Sequence, residues 1–272
     1  MESESDKKPI IKELYHIELG QKQFKKTALR VSIFLLLIAN SFVWYFVYSN
    51  PTNNEYLTVA VLDIGQGDAI FIEAPNGKQV IFDGGPNGKI LSELSRLMPF
   101  YDRTIDMIVV TNPDKDHFAG FIDVLDRYKV LKVLEPGTLS DSETYKSLEK
   151  SIELEKSEKF LARRGMRIEL DPEKGIYIDI LFPDQDVKDF SRNDGSVIAR
   201  LVYGKTSFML TGDTTEKTEK YLISLGDDLK SSVLKIAHHG SRTSTSRDFV
   251  AKVAPEYAAI SASKDNKYGH PH

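Results

Sequence analysis

The sequence predicts an α/β (α+β) chain whose main domain is a four-layer αββα sandwich, preceded by one transmembrane helix. Three observations predict it. A long apolar run near the N-terminus carries no charge between Arg30 and Glu55. From Leu57 onward, short β-branched runs come first as hairpins and later alternate with helical stretches. Hairpins followed by βα units suit two sheets packed face to face with helices outside. The composition allows this: 272 residues, 41% apolar and 28% charged, accommodate one span and one globular domain of roughly 200 residues.

Residues 1–30 are polar and charged and read as a cytoplasmic segment. Residues 31–49 read as the membrane anchor, since a bilayer core needs ~20 largely apolar residues in a helix. A buried core helix would show a polar face, and only Ser32, Asn40 and Ser41 interrupt the stretch from Val31 to Tyr48. A cleaved signal peptide would be followed by a small-x-small site, which is missing here. Lys22, Lys25, Lys26 and Arg30 precede the run, and no Lys or Arg follows until Lys78. That asymmetry predicts a single-pass protein of the cell membrane, N-terminus in the cytoplasm and main domain outside. Residues 50–56, including Asn-Pro-Thr-Asn-Asn, read as a turn-rich linker, and 57–272 as the domain.

Within the domain, strands are expected at 57–62, 69–72 and 79–82, with Asn76-Gly77 as a hairpin turn. A helix over 90–98, a strand over 105–110 and a helix over 117–128 follow. Residues 143–164 are highly charged with apolar residues at loose helical spacing, and read as one exposed helix. Strands are then expected at 167–170, 176–182, 197–203 and 207–210, and a helix at 215–225. A strand at 233–237, a helix at 246–253 and a strand at 257–261 complete the domain.

The net charge of −4 argues against a generally basic surface, so any nucleic-acid contact is expected to be local, along a groove. The absence of cysteine excludes disulfides, thiolate metal sites and a thiol nucleophile. Histidine is informative. Of six, five (His117, His238, His239, His270 and His272) lie in short runs with Asp, Gly and Pro.

Four segments at the ends of expected strands carry this chemistry. In Thr111-Asn-Pro-Asp-Lys-Asp-His117, Asp114, Asp116 and His117 crowd the point where a strand gives way to a helix. Two carboxylates and an imidazole at that spacing can converge on a divalent cation, although an Asp-rich turn with a helix cap is the plainer alternative. Asp213 closes the Leu-Thr-Gly-Asp segment, by itself an ordinary turn. His238 and His239 follow a strand, and paired buried imidazoles are costly unless something binds them. His270 lies beside a turn in Tyr-Gly-His-Pro-His, a segment that reads as a motif cut short by a truncated C-terminus.

Four motifs in this order, VLDIGQGDAIFI with VIFDGG, TNPDKDHFAG, LTGD and KIAHHGS, resemble the metallo-β-lactamase superfamily. Their combination resembles the hydrolase domain of ComEC-type DNA-uptake proteins. The resemblance covers Leu57 to the end. It implies an αββα fold holding one or two ions, usually Zn2+, with Mn2+ an alternative. It assigns Asp116, His117 and one of the paired histidines, His238 by preference, to one ion. It assigns Asp114 to a second ion and Asp213 to a bridge between them. His270 resembles an additional active-site histidine that assists a leaving group, and Asp83 an aspartate that supports the ligands from behind. Asn112 stands where the family pattern has histidine, and Asn193 or Asp194 would have to stand in for a further missing ligand.

The expected chemistry is metal-assisted hydrolysis, with Asp114 or Asp116 orienting the attacking water. The resemblance implies a phosphodiester substrate, extracellular single-stranded DNA, and with a single span the chain reads as a detached nuclease beside a separate channel protein or as an anchored hydrolase with another task. Lys235 and His270, then Lys115, Arg242 and Arg247, are candidates for holding its anionic groups. Hydrolysis of another ester or amide, or a membrane-tethered binding module without catalysis, are the competing expectations.

Overall fold

The computed structural model describes the backbone of residues 4–49 and 55–272, and the side chains of residues 21–46 and 55–272. The chain forms two units, Met1–Thr52 and Asn53–His272. Most of the linker expected over 50–56 lies outside the described residues.

In the first unit, helix α1 runs without interruption over Glu4–Ser49. The boundary expected at residue 30 therefore falls inside one helix. At 1.5 Å per residue, α1 is roughly 70 Å long, about twice the thickness of a hydrocarbon core. Only part of it is apolar enough to cross. Gln21–Phe46 qualifies by length and by a mean hydropathy of 1.7, and all its side chains are exposed.

The second unit contains two six-stranded sheets. The first takes the order β1-β2-β3-β4-β5-β6 from Thr58–Val61, Ile70–Glu73, Gln79–Phe82, Thr104–Val109, Lys129–Glu135 and Glu158–Leu161. Strands β1 to β3 are antiparallel and β3 to β6 parallel. The second sheet comprises β7 (Arg167–Asp171), β8 (Ile176–Phe182), β9 (Ile198–Tyr203), β10 (Thr206–Leu210), β11 (Val233–Lys235) and β12 (Tyr257–Ala259). Here β7 to β10 are antiparallel, and β10 to β12 parallel. Each sheet is thus a meander extended by βα units.

Side chains that alternate along each strand build the layers. In β3, Val80 and Phe82 enter the core between the sheets, while Ile81 faces helices α2 (Lys89–Leu97) and α4 (Gly120–Arg127). In β8, Ile176, Ile178 and Ile180 face the first sheet, and after a register shift Phe182 joins the opposite core. That core packs α6 (Glu216–Ser224) and α7 (Arg247–Val253) on the second sheet. Helix α5 (Glu143–Glu155) completes the first helical layer through Tyr145, Leu148 and Ile152. The layers are α, β, β, α, as the sequence predicts.

Two local expectations are corrected. The helix expected over 143–164 ends at Glu155, where Lys156 turns left-handed (φ 61°), and β6 follows. β6 is an edge strand, so its charged residues sit in water and its pattern reads as an exposed helix. The strand expected over 233–237 stops at Lys235, because the chain turns into a tight 3-10 segment at Ala237–Gly240.

Candidate metal centre

Parallel strands send their C-terminal loops to one edge of a sheet, and the site forms where the edges of both sheets meet. The first sheet contributes Asp83 after β3 and residues 111–117 after β4. The second contributes Asp213 after β10 and the paired histidines after β11. The short helix α3 (Lys115–Phe118) begins directly after Asp114 and swings His117 inward. The loop between β1 and β2 clamps this segment. Asp68 N–H donates to the Asp116 carbonyl (3.2 Å), and the turn after β3 adds Gly84 N–H to the His117 carbonyl (2.5 Å). Gly67 (φ +119°) makes the clamp possible, since a Cβ there would lie 2.1 Å from the Asp116 carbonyl oxygen.

Both histidines of the centre are held from behind. His117 Nδ1 lies 2.7 Å from Asp83 Oδ2, and His239 Nδ1 lies 2.9 Å from the Ser261 carbonyl. These oxygens accept, so Nδ1 carries a proton in each ring and Nε2 turns inward, where it offers a lone pair once its own proton is displaced. Asp83 is itself fixed by Thr111 N–H (2.8 Å) and Thr111 Oγ1–H (2.6 Å).

The inward atoms converge. His117 Nε2 is 3.0 Å from Asp213 Oδ2, and His239 Nε2 is 3.6 Å from Asp213 Oδ1 and 3.4 Å from Asp116 Oδ2. Asp116, His117 and His239 offer ligand atoms within 4.8 Å of one another, as do Asp68, Asp213 and His239. His117 Nε2, His239 Nε2 and Asp213 Oδ1 are buried and make no hydrogen bond. Such atoms cost free energy unless something binds them. Two imidazole nitrogens and carboxylate oxygens are the donor set of a divalent transition-metal ion, and these residues fit one.

The electrostatics agree. Burial lowers the His117 imidazole, but the Asp213 and Asp83 carboxylates outweigh it and hold its pKa well above 6.5. Burial likewise lowers His239, and Asp116, Asp68 and Asp213 raise it to about 10. Burial raises Asp116, but His239 and His117 bring it to about 2. Asp213, raised by burial, is held below the usual carboxylate range by His117 and His239. Asp83 is pushed up by burial, against the pull of His117. The pocket concentrates negative charge where a cation would sit.

The expected residues divide into two groups. Asp116, His117 and Asp213 come together in space. Of the paired histidines, His239 lies inside this cluster, whereas the Nε2 of His238 is 3.9 Å from Asp213 Oδ2 and its side chain is 25% exposed at the cavity rim. Asp114 stands apart from the cluster and pairs with Arg192 through Oδ1 and Nη1 (2.5 Å). His270 lines the same cavity of about 410 Å3, stacked on Tyr268. Lys115 lines it too, whereas Arg242 and Arg247 do not. Lys235 cannot reach a substrate: its buried ammonium lies 2.8 Å from Asp68 Oδ1. Sequence reasoning missed Asp68, although it lies within the quoted GQGD motif.

Such a centre, built from both sheets of an αββα sandwich, defines a class of metal-binding proteins in which hydrolases are common. The chain belongs to the metallo-beta-lactamase superfamily, which residues 62–264 match. It is 29% identical over 252 residues to ComE operon protein 3 of Bacillus subtilis, covering 85% of this chain and 31% of that protein. It is also 29% identical over 257 residues to Recombination protein 2 of Haemophilus influenzae, covering 92% of this chain and 29% of the relative. The chain thus spans under a third of the length of these relatives. Among solved structures it is similar to the metallo-beta-lactamase fold protein YhfI of Bacillus subtilis, at 12% identity and a TM-score of 0.48, covering 76% of this chain and 89% of that one.

Proposed function

We propose that the chain is a membrane-anchored, extracytoplasmic, metal-dependent phosphodiesterase that cleaves single-stranded DNA during uptake, beside a separate channel protein. The observation that carries the hydrolase part is the pair of imidazoles anchored through Nδ1, with unpartnered Nε2 atoms facing Asp213. The similarity to ComE operon protein 3 and Recombination protein 2 supports the DNA part, and the charge asymmetry around α1 supports the orientation.

His117, His239, Asp213 and Asp116 would hold a divalent ion, with Zn2+ and Mn2+ both compatible with this donor set. Such an ion supplies Lewis-acid polarisation of the attacked group and makes water nucleophilic near neutral pH. The remaining steps belong to the protein. Asp83 and Ser261 keep the imidazoles in the ligating tautomer. Asp116, at the cavity wall, accepts a hydrogen bond from the attacking water and orients it. His270 is held neutral by burial and by the neighbouring imidazoles, so it can accept a proton and pass it to the departing oxygen.

The test is cleavage of single-stranded DNA by the full chain in detergent with Zn2+ or Mn2+, beside Asp116→Ala. Metal-dependent cleavage that the substitution abolishes supports the proposal. Bound DNA with no cleavage under any metal would leave a binding module. Orientation is read separately. The chain has no cysteine, so Lys205→Cys on the exposed β9–β10 turn should react with an impermeant maleimide on intact cells. Labelling only after lysis would reverse the topology.

A further inference from the structure

We infer that the centre takes one divalent ion, and that the Arg192 guanidinium supplies the second positive charge, receiving an anionic group of the substrate beside it. This inference rests on the hydrolase reading above and deepens it.

Buried atoms without a hydrogen bond gather around the paired histidines, His238 Nδ1 and His270 Nδ1 at the cavity rim included. His117, His239 and Asp213 each leave a buried ligand atom without a hydrogen bond. On the opposite side, the residues that would hold a second ion are all engaged by protein. Asn112 is fully buried, and its Oδ1 accepts the Asp114 N–H at 2.8 Å. Its Nδ2 donates to Asn193 Oδ1 (2.9 Å) and Ser196 Oγ (3.3 Å), so turning the amide toward a cation would break three hydrogen bonds. Asn193 is occupied by the same bond. Asp194 accepts from Thr215 Oγ1 and Lys217 Nζ, tying its loop to the start of α6. Asp114, the last candidate, is neutralised by Arg192.

The pairing has two electrostatic consequences. A second divalent ion beside Asp114 would have to displace or face a guanidinium, and like charges in a partly enclosed cavity repel strongly. Asp114 also holds Arg192 through a single Nη1 contact, and a guanidinium carries further N–H donors in a planar fork suited to phosphate. Among the described residues, no other acceptor engages that guanidinium. Its side chain is 47% exposed and lines the cavity with Asp116, Asp213, His239 and His270. An anionic group reaching the ion from this side would meet those free donors. Arg192 lies four residues before Ser196 on the loop that Asn112 fastens, so the asparagine fixes the guanidinium in place of a metal.

The experiment titrates the full chain in detergent with Mn2+ and with Zn2+, reading ions per chain by elemental analysis and calorimetry. Inorganic phosphate is then titrated into the loaded protein. One ion per chain is expected; two overturn the inference while leaving the hydrolase reading intact. No bound ion defeats both. Arg192→Ala should keep one ion and weaken phosphate by about tenfold or more, with Arg192→Lys intermediate. Phosphate affinity within about twofold of wild type in Arg192→Ala would overturn the role of the guanidinium. Asp114→Asn is the second variant, and its retention of the ion with unchanged affinity is expected. Loss of the ion in Asp114→Asn would make Asp114 a ligand and refute the inference.

Discussion

Replacing Asp83 by asparagine tests the centre through a residue that touches neither ion nor substrate. The backbone tolerates it, because Asp83 sits at φ 59° and asparagine favours that region. The loss therefore lies in the hydrogen bonds. Three donors converge on the carboxylate: Thr111 N–H on Oδ1, Thr111 Oγ1–H and His117 Nδ1–H on Oδ2. An amide has one accepting oxygen and an NH2 group. With its oxygen toward His117, the NH2 opposes the buried Thr111 N–H, at a cost of about 1–3 kcal/mol. With its oxygen toward Thr111 N–H, the NH2 faces His117 Nδ1 and drives the imidazole to its other tautomer. The inward lone pair is then lost, and ion affinity falls about 10- to 100-fold, again about 1.4–2.8 kcal/mol. Either way the loaded state loses about 1–3 kcal/mol, which for a domain of this size lowers Tm by about 2–12 °C. Thermal unfolding at saturating Mn2+ or Zn2+, with a competition titration for the ion, reads both routes. A loaded Tm within about 1 °C of wild type, with ion affinity within about twofold, would refute the reasoning.

Three other outcomes are expected. Gly67→Ala should destabilise by more than about 3 kcal/mol, because its Cβ meets the Asp116 carbonyl, whereas Gly65→Ala, with nothing within 4 Å, should cost only the left-handed strain of about 1–2 kcal/mol. Equal losses in urea denaturation would remove the clamp from the account. His239→Ala should abolish stoichiometric ion binding while His238→Ala retains it, measured as metal per chain after dialysis; the reverse result would restore His238 as the ligand. Ion binding should also expel protons. In the ion-free chain His117 and His239 titrate above neutrality, so both are protonated at pH 7 and the incoming ion displaces both protons. Apparent affinity should therefore rise with pH by up to about 100-fold per unit through the neutral range and fall in acid. Calorimetry in buffers of different ionisation enthalpy counts these protons, and an enthalpy independent of buffer would contradict the protonation states.

The layers were legible because alternation and turn chemistry repeat over many residues. The two strands that escaped show where that signal fails. β5 carries exposed Lys129, Leu131 and Lys132 on its outer half, so Lys-Val-Leu-Lys-Val-Leu-Glu shows no clean period of two. β6 pairs along one edge only, and its exposed Glu158 and Lys159 extend the charged pattern of α5 without a break. In both cases the strand is defined by its neighbour across the sheet, which a local pattern does not contain.

Within the site, residue types were legible and their orientations were not. A strand continued through Ala237 would let alternation decide which histidine faces inward. The chain instead places both in the left-handed region, His238 at φ 47° and His239 at φ 55°, so period-two reasoning has no purchase there. Tertiary bonds decide: His238 N–H donates to the Gly212 carbonyl, and His239 Nδ1–H to the Ser261 carbonyl, which turns the second ring into the cluster. Asn112 shows the same rule from the other side. An imidazole there would lack the carbonyl oxygen that accepts the Asp114 N–H and the NH2 that reaches Asn193 and Ser196 together. The asparagine that stands where the family pattern has histidine therefore supplies the bonds that hold Asp114 and the Arg192 loop in place.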